Sequence, residues 1–310
     1  MPVLILNGHF AGEGNIMNKK RLGVLYIVIS AFCFALMNTF VRLSGDLPTI
    51  QKSFFRNFIA VIFAFIILKK NHIPLKWNKG NLKFHILRST AGTLGILCNF
   101  YAIDHLVLSD ASMLNKMSPF FAIIFSLVFL KERVSLFQSL AVAAAFIGSL
   151  FIIKPSFSGI AFLPGFIGFL GGMGAGAAYT VVRHLGNKGE KGPFIVFFFS
   201  TFSCVVTFPY LIFNYQHMTI IQLVYLLLAG LAAALGQFSI TAAYCCAPAK
   251  EISVYDYSQI IFAAVIGYIL FGQIPDKFSF IGYAVIITAA VLMFIYNNKF
   301  YKNIYDNKTN

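Results

Sequence analysis

Two charged residues inside apolar stretches of this sequence are the first candidates for chemistry. Lys116 lies in SMLNKMSPFF (112–121), three residues before Pro119, and Asp256 lies in SVYDYSQ (253–259). A charge at the centre of a bilayer costs at least about 2.5–3.5 kcal/mol, so such residues are rare and usually functional. Lys116 could attract a carboxylate or phosphate, or it could satisfy carbonyls that the proline leaves unpaired. Asp256 could bind a cation, carry a proton, or bond to a neighbouring tyrosine.

Uncharged polar residues accompany these two charges in the same or nearby apolar stretches. Amides and phenols offer hydrogen bonds without a charge, although a single one more often joins two helices. The predicted substrate-binding residues are Asn99, Tyr101, Asn115, Lys116, Gln237, Asp256, Tyr257 and Gln259. The sequence contains no hydrolase, zinc-protease or phosphate-loop motif, so we expect no catalytic residue, no metal and no cofactor.

The relative depth of Lys116 and Asp256 argues against a simple ion pair. In continuous helices each lies roughly 7–9 Å from its own face of a hydrocarbon core about 30 Å thick, and the two faces are opposite. We therefore expect the two side chains to flank one cavity from opposite ends without direct contact.

Other conspicuous residues have simpler interpretations. Arg42, Arg56, Arg88 and Arg183 lie near the ends of apolar stretches, where we expect them to snorkel to the membrane surface. For Arg88 the alternative is a role in gating the inner mouth of the pathway. The stretch GGMGAG (171–176) follows no strand and lacks the lysine of a phosphate loop. Its glycines, spaced by four with the one at 168, predict close packing against another helix.

The composition is that of a membrane protein. Of 310 residues 59% are hydrophobic and only 11% are charged, compared with about 25% charged in soluble proteins. The net charge of +14 comes from basic residues between the apolar stretches, which favours a topological role over nucleic-acid binding. We expect ten helical spans, at 22–41, 51–68, 84–103, 111–130, 136–153, 160–182, 193–213, 220–243, 252–271 and 278–296.

The two halves of the sequence resemble each other at a constant offset of 141 residues, and we call this correspondence the repeat alignment. TFVR (39–42) aligns with TVVR (180–183), and GTLGILCNFYAIDHLVLSDAS (92–112) aligns with AALGQFSITAAYCCAPAKEIS (233–253). Because each half has five predicted spans, an odd number, the second half must be inverted relative to the first. Inverted repeats are typical of transporters whose site lies between the halves. If both termini are cytoplasmic, most Lys and Arg residues fall on the cytoplasmic side of the membrane, which is the orientation that we expect.

Several motifs resemble the EamA family of the drug/metabolite transporter superfamily. They include FFRN (54–57), LRSTAGTLG (87–95) and FLKERVSLFQ (129–138). One departure is Gln273, where the family usually has an acidic residue like Glu132 in the first half. The resemblance implies a multi-pass carrier of the bacterial inner membrane that moves a small metabolite by alternating access, without ATP.

These observations predict an all-α membrane protein with ten transmembrane helices in two inverted five-helix repeats. The expected units are an N-terminal extension (1–18), a first EamA repeat (19–155), a second repeat (156–297) and a cytoplasmic tail (298–310). Because one chain holds both halves, a single copy could suffice, with the solute and membrane lipid as its partners.

The expected function is secondary transport of a small polar or amphipathic metabolite, such as an amino acid. The alternatives are an exporter of cationic drugs, a carrier of a nucleotide-like cofactor and, from another class, a membrane enzyme or receptor. An enzyme should have clustered acids or nucleophiles at one membrane face, and a receptor has no need of an inverted repeat.

Overall fold

The computed structural model describes residues 13–78, 80–129, 135–153, 162–246 and 253–306. Glu132 and the first part of the expected N-terminal extension lie outside these ranges. Within them the regular structure is helical, without strands, as predicted. The α-helices are α1 (Glu13–Leu43), α2 (Thr49–Lys70), α3 (Leu82–His105), α4 (Leu108–Asn115), α5 (Ser118–Phe129), α6 (Leu136–Ile153), α7 (Phe162–Asn187), α8 (Gly192–Asn214), α9 (Ile220–Cys246), α10 (Ser258–Phe271) and α11 (Lys277–Asp306). A 3₁₀-helix, η1 (Ser253–Tyr257), directly precedes α10.

Six of these helices are long and apolar enough to cross a membrane, namely α1, α2, α7, α8, α9 and α11. The protein is therefore a multi-pass membrane protein. Helix length alone does not support ten continuous spans, because α6 and α10 have shorter apolar segments. The predicted fourth span, 111–130, is divided between α4 and α5. α3 has 24 residues, but charged residues such as Lys83 and Asp104 make it less apolar.

Pro119 accounts for the break between α4 and α5. α4 ends at Asn115, and α5 begins at Ser118 with Pro119 in its first turn, where a missing N–H is tolerated. A continuous helix would pair the Lys116 carbonyl with an N–H of the next turn. Here that carbonyl instead accepts a hydrogen bond from the Tyr257 hydroxyl at 3.1 Å.

At the equivalent place the second half changes helix type without a proline, from 3₁₀ to α, and we call this change a break as well. The tight helix η1 ends at Tyr257 and α10 begins at Ser258, while the residue equivalent to Pro119 is Ile260. Short 3₁₀ segments are frequent at the N-termini of α-helices. Both halves therefore break at equivalent positions, but only the first half has a cause in its covalent backbone.

Helices of the two halves pack against each other in a regular pattern. α1 packs along α9, α3 along α7, α2 against α8, and α6 against α11. In the repeat alignment, α1 corresponds to α7 and α3 corresponds to α9. The first two contacts are therefore equivalent to each other, and the polar residues described below lie where these helices meet.

The glycine face of α7 packs closely, as predicted. A Cβ atom on Gly172 would overlap the Leu114 carbonyl oxygen at the end of α4, and one on Gly176 would lie 2.7 Å from the Ser118 oxygen. A Cβ on Gly168 would lie 3.1 Å from a methyl carbon of Leu114. α7 therefore fits against the break between α4 and α5, and bare glycines allow this approach.

Candidate functional site

Lys116 and Asp256 form a direct ion pair at the two helix breaks. Lys116 Nζ donates a hydrogen bond to Asp256 Oδ2 at 2.6 Å, and the two side chains are only 5% and 8% exposed. The expectation that they flank a cavity without contact is wrong. It assumed continuous helices, whereas the breaks at α4–α5 and η1–α10 bring the two side chains together inside the bundle.

A cavity next to this pair is lined by most of the predicted binding residues. Its volume is about 80 Å³, enough for a few water molecules. The predicted residues that line it are Asn99, Asn115, Lys116, Gln237 and Gln259. They lie on α3, at the end of α4, on α9 and on α10, so helices from both halves contribute.

The remaining three predicted residues do not line this cavity. Asp256 pairs with Lys116, and its Oδ1 has no hydrogen-bond partner among the described residues. Tyr257 is buried and holds the Lys116 backbone. Tyr101 stacks on His105, with ring centroids 4.2 Å apart, near the end of α3. The position of Tyr101 therefore gives no support to a role in solute binding.

Two arginines that the sequence placed at the membrane surface line the same cavity. Arg56 and Arg88 are each only 4% exposed, so the expectation that they snorkel to the surface is wrong. α2 begins at Thr49 and α3 at Leu82, which places each guanidinium-bearing residue roughly 10 Å along its helix. A polar residue directly follows each arginine, and this local polarity within an apolar stretch could have revealed them.

Asn38 and Tyr179 are further lining residues that the sequence did not single out. Asn38 Nδ2 donates to Ser112 Oγ at 3.3 Å, and Asn38 Oδ1 accepts from Asn99 Nδ2 at 3.5 Å. This chain of groups connects α1, α3 and α4 and orients Asn99 beside the cavity. Tyr179 comes from α7, so it adds the phenol of a second-half helix.

Polar contacts join the helices at both ends of the bundle. At one end Lys52 Nζ pairs with Asp104 Oδ1 at 2.7 Å, and Gln222 Nε2 donates to a carbonyl between α1 and α2 at 3.1 Å. At the other end Asn81 Nδ2 donates to Glu190 Oε1 at 2.8 Å. Asn81 and Gln222 are equivalent in the repeat alignment, so each half contributes the same kind of contact to one end.

Sequence comparison identifies two consecutive matches to one family. Residues 21–154 and residues 163–295 each match the EamA-like transporter family. The chain belongs to the EamA-like transporter family. The function of this EamA-like transporter is therefore the movement of a small-molecule solute across a membrane.

Relatives of this EamA-like transporter are named as transporters. The pseudopaline exporter CntI of Pseudomonas aeruginosa is 30% identical over 281 residues, which cover 90% of this chain and 98% of that protein. A riboflavin transporter of Rhizobium johnstonii is 25% identical over 295 residues, with 91% and 93% of the two chains covered. Human solute carrier family 35 member G1 is 32% identical over 139 residues, covering 44% of this chain and 37% of that protein.

The fold of this EamA-like transporter also has a counterpart among solved structures. A protein crystal structure superposes with a TM-score of 0.65 at 10% sequence identity, covering 90% of this chain and 98% of the other. The likeness extends over nearly the whole chain, and it concerns the fold alone.

Proposed function

We propose that this protein is a secondary transporter that moves a small polar or amphipathic metabolite, such as an amino acid or a related compound, by alternating access. The observation that carries the proposal is the cavity beside the buried Lys116–Asp256 pair. Buried charges inside a membrane bundle are costly and typically mark a solute or ion pathway. The side chains that surround this cavity come from both matched halves.

We also propose that the chain is built from two inverted five-helix repeats, at 19–155 and 156–297, with ten membrane segments. The equivalence of the α1–α9 and α3–α7 contacts supports this arrangement. The equivalent breaks at α4–α5 and η1–α10 support it further. In this proposal the segments outside the six long helices are α3, which carries charged residues, the interrupted α4–α5 segment, the shorter apolar helix α6, and η1 with α10.

The proposed transport cycle begins from a closed arrangement of the helices. A cavity of about 80 Å³ is smaller than the roughly 300–1,000 Å³ of typical small-molecule pockets. The solute must therefore enter a widened form of this site, with the contacts at one end of the bundle released. As the site widens, a zwitterionic solute can separate the direct pair, with its cationic group on Asp256 and its anionic group toward the cations that line the cavity.

The proposed location is the bacterial inner membrane, with both termini in the cytoplasm. The basis is the distribution of Lys and Arg between the apolar stretches. A second candidate function is the transport of a cofactor-like compound. The named riboflavin transporters among the relatives favour this candidate.

A liposome assay with purified protein tests the proposal. Labelled amino acids, riboflavin and other metabolites are offered with and without a pH gradient across the liposome membrane. We expect saturable uptake of at least one compound, lost in the double variant Lys116→Met, Asp256→Asn, which removes both buried charges, and kept in Lys70→Met, which changes an exposed lysine at the end of α2. A folded protein that takes up none of a broad metabolite panel would count heavily against the proposal.

A further inference from the structure

Arg56 and Arg88 have hydrogen-bonding capacity that the described residues leave unused. Arg56 Nε, Arg88 Nε and Arg88 Nη1 are buried and have no hydrogen-bond partner within the described part of the chain. An unsatisfied buried donor costs about 1–3 kcal/mol, and more when it carries charge. Two such side chains beside one cavity are therefore a substantial cost to the stability of the fold.

No carboxylate of the described residues lies within ion-pair distance of either guanidinium. The electrostatic neighbours of Arg56 are Tyr179 and Cys204, and those of Arg88 are Tyr179 and Arg56 itself. The third cation of the cavity, Lys116, differs because Asp256 already neutralises it. The two arginines therefore give the cavity a positive charge that no described side chain balances.

Both guanidiniums are held in place by groups that do not neutralise them. Arg56 Nη1 donates to Asn57 Oδ1 at 2.6 Å, and Asn57 Nδ2 in turn donates to Ser203 Oγ at 2.9 Å. The Arg88 guanidinium lies 3.6 Å from the centre of the Phe199 ring, a cation–π contact that fixes its plane. Both cations are thus positioned in advance, which lowers the cost of binding an oxyanion.

We infer that Arg56 and Arg88 together bind an oxyanion of the transported solute, a carboxylate or a phosphate. Guanidinium groups present paired N–H donors that match these oxyanions, and hydrogen bonds between charged groups are about twice as strong as neutral ones. The inference rests on the proposed transport function and narrows its substrate class to solutes with at least one anionic group. The same positive charge disfavours cationic drugs.

Thermal unfolding in detergent first tests whether the arginines are structural. Methionine keeps most of the arginine stem, so Arg88→Met should unfold at an unchanged or higher temperature because it removes an unbalanced buried charge. Lys52→Met is the matched control, because Lys52 is fully buried and paired with Asp104. Its unfolding temperature should fall. A fall in Arg88→Met as large as in the control would make Arg88 a structural cation and overturn the inference.

Anion binding is then measured by the shift in unfolding temperature with succinate, citrate, glutamate and phosphate. Succinamide serves as the neutral counterpart of succinate, and chloride at equal ionic strength controls for salt. We expect at least one oxyanion to stabilise the wild type beyond chloride, with succinamide inactive. Arg56→Met and Arg88→Met should each weaken its apparent affinity by roughly ten- to a hundredfold. The carboxylate and phosphate arms distinguish which oxyanion is preferred.

The liposome assay separates failure of this inference from failure of transport itself. If oxyanions stabilise the wild type but no solute is transported, the anion site stands and the transport proposal fails. If solutes are transported but neutral and anionic members of each pair move equally well, with both arginine variants fully active, the anion site is refuted and transport stands. If no oxyanion in the panel stabilises the wild type, the anion site is likewise refuted.

Discussion

Removing either member of the Lys116–Asp256 pair should destabilise the protein far more than removing both. The two side chains are 5% and 8% exposed, which excludes the range of about 0–1 kcal/mol typical of surface pairs. Breaking a buried pair leaves one charge without a partner and costs about 3–5 kcal/mol. The expected loss is therefore about 3–5 kcal/mol for Lys116→Met or Asp256→Asn. The double variant should lie close to the wild type, because replacing both charges is often neutral.

The measurement is a double-mutant cycle on the free energy of unfolding. Purified variants are unfolded with SDS in mixed micelles and followed by the helical circular dichroism signal. Because the double variant should lie close to the wild type, the coupling energy should approach the sum of the two single losses, about 6–10 kcal/mol, above the roughly 0.5–3 kcal/mol seen for most contacting residues. The pair Lys52–Asp104 provides a comparison, since the Asp104 side chain is 21% exposed and water can partly solvate it. Its coupling should be smaller.

The same variants separate a structural from a functional role for the pair. If the pair binds solute, the double variant should be stable but inactive in the liposome assay. A double variant that recovers both stability and transport would refute the reasoning, because Lys116 would then serve only to balance Asp256. If the double variant instead loses as much stability as the two single variants together, the two charges do not interact in the folded protein. That result would also refute the reasoning.

Two further substitutions test the packing around the helix breaks. Gly172→Ala should cost about 1–3 kcal/mol of stability in the same SDS assay, because its methyl group overlaps a carbonyl of α4. Gly186→Ala on the same helix meets nothing within 4 Å and should stay within about 1 kcal/mol of the wild type; equal losses would contradict the close approach. Gln273→Leu should cost about 1–3 kcal/mol, because Gln273 Oε1 accepts the Leu108 N–H at the start of α4 at 3.1 Å. Gln273→Glu keeps that acceptor and should retain stability, so a similar loss in both variants would refute the capping role.

The sequence supported the membrane class, the helical fold and the importance of Lys116 because these depend on composition and local pattern. The break at Pro119 was also predictable, since proline removes a specific hydrogen bond. The break before α10 was not, because SVYDYSQ contains neither proline nor glycine. That hidden break made the depth estimate for Asp256 fail, and with it the prediction about the ion pair.

The two arginines were missed for a related reason. Predicted span limits began two residues after the true starts of α2 and α3, so Arg56 and Arg88 looked closer to the membrane surface than they are. Side-chain direction, which no one-dimensional pattern gives, decides whether a long cation reaches water or turns inward. Asn115 and Gln259, by contrast, lie directly beside the breaks, and they line the cavity.

The ion pair at the breaks also bears on how such a chain could have arisen. In the repeat alignment Asn115 is equivalent to Asp256, and Lys116 is equivalent to Tyr257. In a symmetric dimer of one five-helix unit, equivalent positions must carry identical residues. One position would then have to be lysine, like Lys116, and tyrosine, like Tyr257, so the arrangement of Lys116, Asp256 and Tyr257 cannot form in such a dimer. A duplicated and fused gene removes that restriction, because each copy can change alone. The Lys116–Asp256 pair combined with the Tyr257 hydrogen bond to the Lys116 carbonyl is thus a property that only the joined chain can have.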